Sequence, residues 1–89
     1  MNVLHGIYWL GHASFRIEEG MVLYLDPWKL ASPIPADYIL ITHGHHDHLS
    51  TQDVAKLARA DTVVVCPATC AQELSNVVAA KQIKTIAPG

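Results

Sequence analysis

Four of the six histidines in this 89-residue chain fall between positions 43 and 48, in the stretch ILITHGHHDHLS, and Asp47 stands among them. Imidazole nitrogens and carboxylate oxygens together make a donor set for borderline divalent cations. His43 and His45 are separated only by Gly44, so in an extended segment both imidazoles point the same way and supply two ligands to one cation. Asp47 and His48 follow where the chain bends, and can face a second cation close to the first. With no thiolate in the set, Zn²⁺ is favoured, and Mn²⁺ or Fe suit the same mixed N/O donors. The alternative is a solvated histidine-rich turn that binds nothing. Against it stands the position of the motif, at the end of one apolar run and just before a capped helix.

The elements that must hold this turn can be read from the pattern of apolar residues. GIYWL, SFRIE and MVLYLD are apolar or alternating runs separated by Gly11-His12 and Glu19-Gly20, which predicts three short antiparallel strands. Pro27, Pro33 and Pro35 make residues 27–37 an irregular connection, because proline donates no ladder hydrogen bond. DYILIT resumes as a strand, and its continuous apolar centre predicts cover on both faces. The histidine turn begins where this strand ends. Ser50 is a good helix N-cap, and Asp53 faces the free amides of the first turn. Val54, Leu57 and Ala58 at helical spacing extend the helix over residues 51–60. TVVVC reads as a buried strand. Pro67 opens a second helix with Leu74, Val77 and Val78 as its apolar stripe, and QIKTIAPG closes as a strand and turn. The order is a β-meander followed by βαβαβ, an α/β pattern in which ligands collect at the C-terminal ends of strands.

Composition narrows the function classes. Net charge is −2 and there is no Lys/Arg run, which argues against a nucleic-acid partner. The N-terminal stretch has no basic segment before its apolar residues and no span of about 20 apolar residues, so neither secretion nor a membrane is indicated and a cytoplasmic address is expected. Cys66 and Cys70 read as buried small residues rather than a disulfide framework or a metal pair. Hydrophobic residues make up 51% of the chain and charged ones only 16%, a surplus of apolar surface for so small a body. Part of it is expected to lie against a second half of the fold or another copy of the chain.

THGHHDHLS resembles the H-x-H-x-D-H signature of the metallo-β-lactamase superfamily. YWLGHASFRIEEG, VLYLDPW and PADYILITHGHHDH, in this order, are similar to the opening of its metal-dependent hydrolase branch, which includes the ascorbate-6-phosphate lactonase-like proteins. The resemblance covers nearly the whole chain. It implies an αββα sandwich of which residues 1–89 form a single N-terminal half-domain. It assigns His43 and His45 to a first metal and Asp47 and His48 to a second, with Asp47 as the catalytic carboxylate and His46 at a variable position. The reaction implied is hydrolysis of an ester, lactone or phosphodiester by water activated at a dinuclear site. The helix start after Ser50 would favour an anionic, phosphorylated small-molecule substrate.

Two further residues gain a role from the resemblance. Asp26, in LDPW, would lie beneath the metal turn and anchor a ligand histidine through a hydrogen bond, and His12, in LGHAS, would face the cleft as a substrate or supporting residue. The alternatives are a turn-forming Asp before Pro27 and a plain turn histidine. Trp9 and Trp28 are expected in the core. The turn supplies two ligands per metal where a two-metal hydrolase needs three or a bridging carboxylate. After His48 come no histidines and only three acidic residues, Asp53, Asp61 and Glu73. The chain is therefore expected to be a fragment, a truncated product or a half that pairs with another copy. A non-catalytic metal-binding or association module, with a homodimer through its exposed apolar face, is the competing reading.

Overall fold

The computed structural model of the chain describes residues 6–11, 14–27, 30, 34–42 and 51–86. Six strands form one sheet in chain order: β1 (Ile7–Gly11), β2 (Ser14–Glu18), β3 (Val22–Leu25), β4 (Tyr38–Leu40), β5 (Val63–Pro67) and β6 (Ile83–Ile86). β1, β2 and β3 pair antiparallel, and from β3 to β6 every pairing is parallel. The meander-then-crossover order expected from the sequence is the order observed. The turn between β2 and β3 needs a left-handed backbone at Gly20, with φ 73°, and glycine adopts it without steric cost.

Two helices make the crossovers, α1 (Thr51–Leu57) and α2 (Ala68–Leu74). Both stop short of the predicted lengths, and the hydrogen bonds show why. The Leu57 carbonyl is taken by the amide of Ala36 at 3.0 Å, and the Arg59 amide donates to Thr62 Oγ1 at 2.8 Å, so α1 cannot run on to residue 60. α2 ends at Leu74, whose carbonyl accepts the amides of both Val77 and Val78 in a tight turn. Val78 is still buried, so the predicted stripe packs inward although its last part is not helical. The buried Gln82 then locks this turn in place: its amide nitrogen donates to the carbonyls of Arg59 and Thr62, and its Oε1 accepts the amide of Ala79.

Side chains alternate across the sheet, and the two faces differ. Tyr24, Ile39 and Val64 align across β3, β4 and β5, and all are fully buried. They share one cluster with Val54 and Leu57 of α1 and Cys70 and Leu74 of α2, so both helices cover this face. On the other face, Ile7, Ile17, Leu23, Tyr38 and Val63 form one cross-strand row, and Trp9, Phe15, Leu25, Leu40 and Val65 a second. Ile7 is 38% exposed, Tyr38 41% and Trp9 68%. β4 is therefore covered on one face, not both, and Trp9 is exposed rather than buried in the core. The apolar run at 39–41 and the tryptophan both reflect an apolar outer face that nothing among the described residues covers.

Candidate metal centre

β3 delivers Asp26 at its C-terminal end. Its φ of 46° is the left-handed conformation that Asp adopts more readily than most residues, and Pro27 fixes the exit of the chain beyond it. The residue is 3% exposed. Its amide donates to the Leu40 carbonyl at 2.8 Å, continuing the β3–β4 ladder. Its carboxylate accepts the Thr42 amide on Oδ1 at 2.8 Å and the Thr42 hydroxyl on Oδ2 at 2.6 Å. Hydrogen bonds to an ionised acceptor are about twice as strong as neutral ones. Thr42 immediately precedes His43, so Asp26 grips the residue before the histidine motif.

A second buried carboxylate lies beyond the motif in the chain. Asp53, in the first turn of α1, is also 3% exposed, and its Oδ1 accepts the amide of Leu30 at 3.0 Å. The sequence placed Asp53 on the amides of its own helix. The structure adds a partner 23 residues back, in the β3–β4 connection. Lys56 Nζ, half exposed, lies 3.8 Å from the same carboxylate oxygen.

His43, His45, Asp47 and His48 lie outside the described residues, as do His12 and Ser50. Among the described residues no group of three or more His, Cys, Asp or Glu is placed to hold a metal. The structure brings Asp26 to the residue next to the motif. Asp26 was expected to act on a ligand histidine, a contact that lies outside the described residues, and two of its hydrogen bonds go to Thr42. Thr42 was missed by the sequence reading, although a hydroxyl residue at a strand end was a signal. Ser14 was missed as well. It is fully buried, its hydroxyl has no hydrogen-bond partner among the described residues, and it opens β2 next to the Phe15–Leu25 pair at the end of β3. An unmet buried hydroxyl at this end of the sheet, with the nitrogen and oxygen donors of the motif, fits a polar or cationic group in the space beyond.

Cys66 and Cys70 are free and buried, as expected. Burial pushes the Cys66 thiol up, and the neighbouring Cys70 adds to the shift. Such a thiol is a poor metal ligand, because the ligand form is the thiolate.

The sheet is mixed, with β3 to β6 parallel, and the H-x-H-x-D-H sequence follows β4 in the chain, which is the α/β arrangement of a metallo-β-lactamase-type domain. The chain belongs to the beta-lactamase superfamily domain family, whose model matches residues 6–88. A UPF0173 metal-dependent hydrolase of Archaeoglobus fulgidus is 36% identical over 88 residues, covering 90% of this chain and 36% of the relative. Another from Roseobacter denitrificans is 47% identical over 66 residues, covering 61% of this chain and 28% of the relative. The crystal structure of a Parabacteroides distasonis protein, described provisionally as a metal-dependent hydrolase, superposes with a TM-score of 0.71 at 28% identity, covering 78% of this chain and 34% of that one. The chain thus spans about a third of the length of these proteins.

Proposed function

We propose that this chain is the metal-binding part of a metal-dependent hydrolase, with His43 and His45 as ligands of one ion and Asp47 and His48 as ligands of a second. The observation that carries the proposal is the grip of buried Asp26 on Thr42, which fixes the entry to the H-x-H-x-D-H turn at the C-terminal end of a parallel strand. The naming of the relatives as metal-dependent hydrolases supports the same class of reaction. The bound ions, Zn²⁺ first and Mn²⁺ or Fe next by donor chemistry, would supply water activation and polarisation of the bond under attack. The chain's own residues bind and orient. Asp47 is placed by the motif as the carboxylate beside the reacting water, Asp26 sets the register of the turn through Thr42, and His12 is the candidate contact to substrate.

The substrate proposed is a small molecule with an ester, lactone or phosphodiester bond. Its phosphorylated form rested on the helix start at residue 51. The structure puts the Asp53 carboxylate in that first turn, which already meets the positive end of α1 with negative charge, so it adds no support for an anionic substrate over a neutral one. Two reduced, buried cysteines suit the proposed cytoplasmic address, and among the described residues no helix is long and apolar enough to cross a membrane. Two ligands per ion leave the proposed site incomplete within the chain, so activity requires a completing half or a second copy.

The test is hydrolysis of ester and phosphodiester substrates with added Zn²⁺ or Mn²⁺, beside His45→Ala. Metal-dependent turnover lost in the variant supports the proposal, and turnover that survives the substitution ends it. A second reading, association without catalysis, is favoured by one observation: two rows of apolar side chains on the open sheet face. A metal-replete protein that forms a stable homodimer and hydrolyses nothing would establish it.

A further inference from the structure

The open face of the sheet changes character from edge to edge. Trp9, Phe15, Leu25, Leu40, Val65 and Lys84 stand in one cross-strand row, which begins at the β1 edge with an indole and ends at the β6 edge with an ammonium group. Both end residues are exposed, Trp9 at 68%. Lys84 is the one charged side chain of this row, and the neighbouring row that starts at Ile7 has none. We propose that this face docks a second copy of the chain, the two sheets packing face to face about a two-fold axis that runs along the strands, with Trp9 of each copy over Lys84 of the partner subunit. The inference deepens the association reading given above and rests on it. It requires no metal.

The physical case has three parts. A surface that meets its own copy must bury no unpaired charge, and across β1 to β5 the two rows offer only apolar side chains and the Tyr38 phenol. The single charge at β6 then selects the axis. A two-fold along the strands lays β1 of one copy over β6 of the other, so each ammonium meets an indole and gains a cation–π contact. A two-fold across the strands lays each edge over itself and brings the two Lys84 ammonium groups together. Facing sheets pack about 10 Å apart, a gap that the long side chains of tryptophan and lysine can cross between them. The third part is area. The exposed parts of the side chains on this face come to roughly 600 Å² per copy, so a pair hides about 1,200 Å², the lower edge of specific interfaces. That size fits a dimer with a micromolar dissociation constant rather than a permanent one.

The experiment is sedimentation equilibrium of the purified chain across the micromolar range, with EDTA present so that no metal links two copies, followed by cross-linking. Wild type should pass from monomer to dimer and stop there, because an isologous contact closes. Lys84→Gln loses two cation–π contacts per dimer and should dimerise about 5–30-fold more weakly. In a Trp9→Leu background the same change should weaken nothing further. Glu73→Gln, on the outside of α2, should match wild type. A mixture of Trp9→Cys and Lys84→Cys proteins, treated with a bis-maleimide about 10 Å long, should give a covalent dimer, and neither protein alone should. The native cysteines are buried and add little background. A chain that stays monomeric at every concentration overturns both the proposal and the association reading, and leaves the face to a different partner. A dimer in which Trp9→Cys alone cross-links, or in which Lys84→Gln associates as well as wild type, overturns the proposed packing while association stands. Assembly that grows past two copies overturns it as well.

Discussion

The two faces of the sheet are made by the same six strands, yet one is finished and the other is not. On the helix-covered face Tyr24, Ile39 and Val64 are sealed, and of the buried polar residues Asp26, Asp53, Thr62 and Gln82 have long-range partners while the Ser14 hydroxyl has none among the described residues. On the open face two rows of apolar side chains stand partly in solvent. The difference shows where each kind of information lies. The covered face supplies stability and holds Thr42, the residue before the histidine motif, and the open face supplies the apolar surface on which the proposed association rests.

The largest effect should come from breaking the finished face. Ile39→Ala removes a fully buried side chain from the centre of the cluster and should cost about 2–5 kcal/mol, enough to unfold much of a small domain, as read by urea denaturation. Trp9→Ser combined with Tyr38→Ser on the open face should cost less than about 1 kcal/mol per site. It should also reduce self-association in light scattering. A pair that destabilises as strongly as Ile39→Ala would show that the outer face is covered within the folded chain.

The smallest effect concerns Cys66, on the covered face. Burial favours its thiol over the thiolate, so its folded pKa lies above the unfolded one. The corresponding stability is fully present below the unfolded value of about 8.5 and is lost as pH rises through the folded value. Melting temperature should therefore fall between neutral and strongly alkaline pH, and Cys66→Ala should flatten that fall. Alkylation of the folded protein should be slow at both cysteines.

Much of this fold is legible in the sequence because strands announce themselves by alternation and by the turn residues between them. Ile39 and Val64 read as strand centres, and both are strand residues that are fully buried. What was not legible depends on distance along the chain. Parity assigns Trp9 and Tyr38 to one face, but it does not say whether anything covers that face, so Trp9 was expected in the core and is 68% exposed. The end of α1 depends on Ala36 taking the Leu57 carbonyl, and the duties of Asp26 and Asp53 depend on Thr42 and Leu30. Each of these partners is at least 16 residues away, and no local pattern names it.

The central claim is that the histidine turn binds metal, held in place by the covered face. The measurement that tests it most directly is the metal content of the purified protein, taken together with its mass in solution, for wild type and His45→Ala. The account predicts at least one tightly held transition-metal ion per chain in wild type and a marked loss in the variant at unchanged mass. Wild type that holds no metal after incubation with Zn²⁺ and Mn²⁺, or a variant that holds as much, would contradict it.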